Sequence, residues 1–236
     1  MHAKRMDKIA TGVLYAISGI IVAILASLIL YILVRGLPHV SWHFLTGKSS
    51  SYQAGGGIGI QLYNSFFLLV ITLVISFPLS LGAGIYLSEY AKKGRLTNLV
   101  RTCIEILSSL PSVVVGLFGY LVFVVQFKYG FSIISGALAS GRIFGEAAAL
   151  IYTAGQSAPA LDWSNWNIFS VTSPISIFRQ AETLAVHIWK VNSEGTIPDS
   201  IEVSAGSAAV LLIFILIFNF GARKLGSYLH KKLTSA

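Results

Sequence analysis

Long apolar runs separated by short charged stretches dominate the pattern of this chain. Residues 9–34 contain no Asp, Glu, Lys or Arg and read as a first membrane span, with Tyr15 and Tyr31 near its ends. A second span is expected over residues 63–87, with Pro78, Gly82 and Gly84 inside it, and a third over 106–127, enclosing Pro111, Gly116 and Gly119. The last covers 203–222 and opens with the small residues Ser204, Ala205, Gly206, Ser207, Ala208 and Ala209, which let helices approach backbone to backbone in lipid. Each run meets the length rule that about 20 helical residues cross about 30 Å of hydrocarbon. The first is too long for the apolar region of a signal peptide and is expected to stay as an anchor.

Two segments break this rhythm. Residues 131–155 are apolar but have room for about one crossing, not two. Residues 156–202 are more polar, and within them Ile177, Phe178, Ala181, Leu184, Ala185, Ile188 and Trp189 recur at helical spacing. They predict an amphipathic helix over 174–191, lying on the outer surface of the bundle.

Composition agrees with a lipid setting: 55% of the residues are hydrophobic and 11% charged, against about a quarter charged in ordinary globular domains. The net charge of +8 does not form a nucleic-acid patch, because the basic residues flank the apolar runs. Eleven of the 17 Lys and Arg fall at residues 4–8, 92–101 and 223–232, which places those three segments and both termini in the cytoplasm by the positive-inside bias. The stretch 156–202 holds five acids against two bases and is expected outside. Four spans and one outer loop then require residues 128–156 to begin and finish outside. The segment 131–155 is therefore either re-entrant or a truncated remnant of two helices.

The sequence offers little catalytic chemistry. Arg142 and Glu146 are the one charged pair deep in an apolar segment, and their i,i+4 spacing puts them on one helical face. Such groups face a partner or a polar pathway. They either fix helix packing as an ion pair or line an anion path in which the guanidinium binds an oxyanion by two parallel hydrogen bonds. Arg101 and Glu105 repeat the spacing at a membrane border, where a surface pair is the simpler reading. Gly55, Gly56, Gly57 and Gly59 form either a phosphate cradle or a flexible entrance to the second span. Gly47, Lys48 and Ser49 imitate the end of a nucleotide-binding loop, but Trp42 stands where its first glycine belongs. The five histidines lack metal-ligand spacing, so no metal or cofactor is expected, and the one cysteine, Cys103, is read as structural.

Three strings together resemble a known family: QLYNSFFLLVITLVISFPLSLGAGIYLSEYAKKGR at 61–95, EILSSLPSVVVGLFGY at 105–120 and SGRIFGEAAALIYTAG at 140–155. They are similar to the phosphate ABC transporter permeases of the PstA type, and the likeness extends to ETLAVHIWKVNSEG at 182–195 and the last span. The resemblance implies an all-α, polytopic helix bundle of the MetI-like permease type in a bacterial cell membrane. It also implies a second permease of the PstC type, a cytoplasmic ATPase dimer and an external phosphate-binding protein as partners, with phosphate crossing between the two permeases. The family's R-x-x-G-E pattern is approximated by Arg142, Ile143, Phe144, Gly145 and Glu146, so Arg142 and Glu146 carry over as path residues.

One family element is missing. Permeases of this class have a cytoplasmic loop with an E-A-A, Gly, I-x-L-P pattern that sits in a groove of the ATPase. Glu146, Ala147 and Ala148 spell its first letters, but Tyr152 occupies the glycine position and the surroundings are apolar. GFSIISGALA at 130–139 belongs to the family's fourth helix and SGRIFGE at 140–146 to the second half of its fifth. They abut here, so the coupling loop is expected to be absent between Ala139 and Ser140. A transport-incompetent subunit, or a permease for another oxyanion such as molybdate or sulfate, are the alternative readings.

Overall fold

A computed structural model describes residues 2–50, 52–92, 94–139, 146–195 and 197–234. Helix is the only regular structure among them: α1 (His2–Gly36), α2 (Trp42–Thr46), α3 (Gly59–Ile85), α4 (Arg95–Ser109), α5 (Ser112–Gly119), α6 (Ile133–Ala139), α7 (Ala147–Thr153), α8 (Leu184–Glu194) and α9 (Ser200–Thr234). By length and composition three stretches can cross a membrane, Met6–His39, Gly59–Tyr90 and Ser200–Tyr228. A fourth is reached only if α4 and the helix beyond it count as one span.

The chain divides into two compact units, residues 1–41 with 204–236, and 42–203. In the first, α1 meets the start of the α9 segment at Gly36. A Cβ there would sit 2.5 Å from that of Ala209 and closer still to the Ala205 carbonyl, so only glycine allows this crossing.

The second unit is built on the first half of α3. Leu68 packs with Ile133 and Ala137 of α6, Leu150 of α7, Val186 of α8, and Ala154 and Ala181. Small residues bring the short helices close: a Cβ on Gly116 would lie 2.7 Å from Ala149 Cα, and one on Gly119 would lie 2.6 Å from Ala139 Cβ. The packing is one-ended. Gln61, Asn64, Ser65, Leu68, Leu69 and Thr72 of α3 are buried, whereas no residue from 73 to 90 is. Pro78 lies in that uncovered half, which ends in a π-helical turn, Tyr86–Tyr90.

The third expected span is corrected. The helix breaks at Leu110, held extended (ψ 140°) because the ring of Pro111 disfavours the helical region for the residue before it. Residues 106–109 thus belong to α4, and the apolar helix starts at Ser112, continuing through a π-helical stretch to Gln126 at 106° to α4. Segment 131–155 contains two seven-residue helices, α6 and α7, each about 10 Å long and unable to cross about 30 Å of hydrocarbon. Its ends are joined by a Ser132 N–H to Thr153 carbonyl bond of 3.0 Å.

The outer helix is also shorter than its apolar spacing predicts, starting at Leu184, not near 174. Before that point the backbone serves other elements. The carbonyls of Ile177 and Arg179 accept the N–H groups of Ile134 and Ile133, satisfying the open N-terminus of α6, while Ala181 N–H donates to Ala154. One face of α8 is buried, through Leu184, Ala185, Val186, His187 and Val191, while Trp189, Asn192, Ser193 and Glu194 are exposed. Thr183 caps its N-terminus, and Gly195 (φ 58°) ends it in the left-handed conformation.

The glycine run is a tight backbone crossing. Ile58 and Gly59 donate to the carbonyls of Phe44 and Gly47, closing the end of α2, and Gly57 donates to Lys48. Gly55 N–H donates to Asp199 Oδ2. With those donors spent, the phosphate-cradle reading of the run is overturned. A Cβ on Gly57 would meet Gly47 C, Cα and O, all at 2.6 Å. Gly57→Ala is therefore expected to cost about 1–3 kcal/mol, seen as a lower melting midpoint in detergent. Gly12→Ala, with nothing within 4 Å of the new methyl, should be neutral or slightly stabilising. Equal midpoints for the two would remove the crossing as a constraint.

Candidate functional site

The first turns of α3 place Gln61, Asn64 and Ser65 on one buried face of an otherwise apolar helix. Ser65 Oγ donates to the Gln61 carbonyl and accepts the N–H of Leu184, tying the start of α8 to α3. Asn64 Nδ2 donates to the Glu182 carbonyl (3.1 Å), and Asn64 Oδ1 accepts from Arg179 (2.8 Å). One polar face of α3 thus threads through the outer segment.

Arg179 is fully buried and has no carboxylate partner among the described residues. Its guanidinium donates to the carbonyls of Gln180 and Pro174, each at 3.2 Å, and lies 5.9 Å from the ring centroids of both Tyr63 and Phe67. Burial lowers its pKa to about 10, with Tyr63 working in the opposite sense. It therefore stays cationic at neutral pH.

Beside it His187 Nδ1 donates to Glu182 Oε1 at 2.9 Å, and Gln61 Nε2 donates to Glu182 Oε2 at 3.3 Å. His187 Nε2 and Gln61 Oε1 are buried with no partner among the described residues. A cavity of about 30 Å³, lined in part by Ser49, Glu182, His187, Lys190 and Glu194, adjoins the pair. That volume holds a water molecule. Among the described residues no three His, Cys, Asp or Glu side chains gather to hold a metal.

The residues singled out from sequence are not in this cluster. Arg142 lies outside the described residues. Glu146 is exposed at the N-cap position of α7 and makes no capping bond. Arg101 does not pair with Glu105; its guanidinium donates to the Leu87 carbonyl at 2.8 Å. Cys103 is exposed and free. The polar network was signalled by the i,i+3,i+4 spacing of Gln61, Asn64 and Ser65 within a span, a pattern that in lipid needs partners. Arg179, Glu182 and His187 gave no such sign, because in a polar loop charge is unremarkable.

Comparison with known proteins shows the family. The chain is 43% identical to the probable ABC transporter permease protein YqgI of Bacillus subtilis, in an alignment covering all of both chains. The chain belongs to the ABC transporter permeases. This permease also matches the phosphate transport system permease protein PstA 2 of Mycobacterium bovis, 36% identical over 104 residues, 44% of the chain and 34% of that protein. The PstA of Haemophilus influenzae is 34% identical over 137 residues, 58% of the chain and 48% of that protein. The permease thus spans a third to a half of these phosphate proteins and the full length of the Bacillus one. No family model matches it, and no solved structure matches significantly. The Bacillus alignment runs over 293 positions against 236 residues here, so 57 positions, all internal, face no residue of this permease.

Proposed function

We propose that this permease forms half of the translocation path of an ATP-driven phosphate importer. It pairs with a second permease of the PstC type, a cytoplasmic ATPase dimer and an external phosphate-binding protein. The observation that carries the reading is the set of matches to phosphate permeases, on top of full-length similarity to an ABC permease. In this reading both termini and the 92–101 turn are cytoplasmic, the Arg179 network locks the outer end of the bundle, and the 131–155 hairpin enters the bilayer from outside. Arg142 and Glu146 line the path, with the guanidinium binding the oxyanion.

Phosphate uptake by cells carrying the chain with its partners tests this. Arg142→Gln should lower uptake roughly tenfold or more, the loss of one charge-assisted hydrogen bond of about 1.5–3 kcal/mol. Unchanged uptake would take Arg142 out of the path, and stronger competition by molybdate or sulfate than by phosphate would reassign the anion.

A second reading, a subunit that joins its partner permease but does not couple to ATP, is supported by the 57 unmatched positions. The exposed second half of α3 and the shortness of α7 fit a gap at Ala139 and Ser140, where the coupling loop was expected. Glu146, Ala147 and Ala148 do not replace it, because Ala148 and Ala149 pack against Gly116.

A further inference from the structure

Helix α4 is two-faced, and among the described residues nothing covers it. At 100° per residue Leu96, Leu99, Val100, Cys103, Ile104 and Leu107 share one face, roughly 160° wide with Ile106, and every polar residue falls on the other. None of its 15 residues is buried; Leu96 is 75% exposed and Leu107 63%. At about 22 Å it is too short to cross the hydrocarbon, so the apolar stripe needs another cover.

Three observations say which. The axis of α4 stands at 106° to the apolar Ser112–Gln126 segment, so when that segment runs along the membrane normal α4 lies nearly in the membrane plane. The Arg101 bond to the Leu87 carbonyl ties the polar face to the end of the α3 segment, leaving the apolar stripe unclaimed. Finally, Lys92, Lys93, Arg95 and Arg101 outnumber Glu89 and Glu105 along residues 89–105, an excess complementary to anionic headgroups.

We infer that α4 is an interfacial helix, its Leu96–Leu107 stripe sunk into an anionic bilayer leaflet and its basic residues held at the headgroups. It anchors the turn between the second and third apolar segments at the membrane surface, at a depth set by the balance of buried apolar area and charge. The inference requires that the apolar helices span a bilayer. It does not depend on phosphate or on an ATPase.

Cys103 is the chain's one cysteine and sits on the stripe, so the unaltered sequence carries its own probe. The full chain, nitroxide-labelled at Cys103, is reconstituted in vesicles of phosphatidylcholine with phosphatidylglycerol, and collisions with lipid-soluble oxygen and an aqueous nickel chelate are compared. Oxygen should be favoured about threefold or more at Cys103, and the chelate at position 105 in a Cys103→Ser, Glu105→Cys chain. In pure phosphatidylcholine the oxygen preference at Cys103 should fall at least about twofold. A label reached by the chelate as readily as by oxygen would overturn the inference, because the stripe is then in water. A label shielded from both reagents would overturn it in favour of a protein cover, and equal preference in both vesicles would remove the anionic surface.

Discussion

Glu182→Leu should lower the stability of the unit formed by residues 42–203 by about 1–3 kcal/mol, the usual result of leaving buried hydrogen-bond donors without their acceptor. The carboxylate accepts from both His187 and Gln61, and each already carries one buried polar atom without a partner, His187 Nε2 and Gln61 Oε1. Losing Glu182 therefore removes the carboxylate acceptor of both, leaving the ring and the amide only each other, with Gln61 Nε2 3.5 Å from His187 Nδ1, beside a cavity of about 30 Å³. The telling measurement is the pair with His187→Leu, followed by melting in detergent. Replacing both partners by apolar groups of similar size removes the orphaned donor, so the double variant should be less damaged than the two single losses added together, by about 1 kcal/mol or more. Strict additivity would mean that the two groups do not act as a pair.

The second large effect concerns coupling. On the second reading, with the unmatched positions falling between Ala139 and Ser140, inserting there the residues that the Bacillus relative has should switch capture of the cognate ATPase in detergent from absent to stoichiometric, whereas a coupled subunit captures it unaltered. In the structure α6 is described as far as Ala139 and α7 from Ala147, and α3 and the turn after it have no buried residue from 73 to 90. Capture of the ATPase by the unmodified chain would reject the uncoupled reading outright.

The long spans were readable because apolar length is a one-dimensional property: the expected 9–34, 63–87 and 203–222 all lie within helices of the structure. Pro111 was a different matter. Inside a membrane helix proline can be accommodated, and only the geometry of Leu110 shows that here the chain turns by 106°. The outer helix illustrates the same limit, since residues 177–181 have helical spacing but their backbone groups are claimed by α6 and by Ala154. Such claims are made across dozens of residues and leave no local trace. The buried network was half visible, through the polar stripe on α3. Its other half, Arg179, Glu182 and His187, has the composition of any solvent-facing loop, and only the fold turns it inward.

The capping of α6 by the carbonyls of Ile177 and Arg179 has a consequence for biogenesis. A seven-residue helix does not hold itself together, since nucleation alone costs more than so few bonds return. Its cap lies about 46 residues downstream, which a ribosome reaches roughly 2–9 s after Ile133 has been made. For that interval the N–H groups of Ile133 and Ile134 lack their carbonyl partners and the Arg179 network is unmade. A quality-control protease acting in that interval meets α6 uncapped.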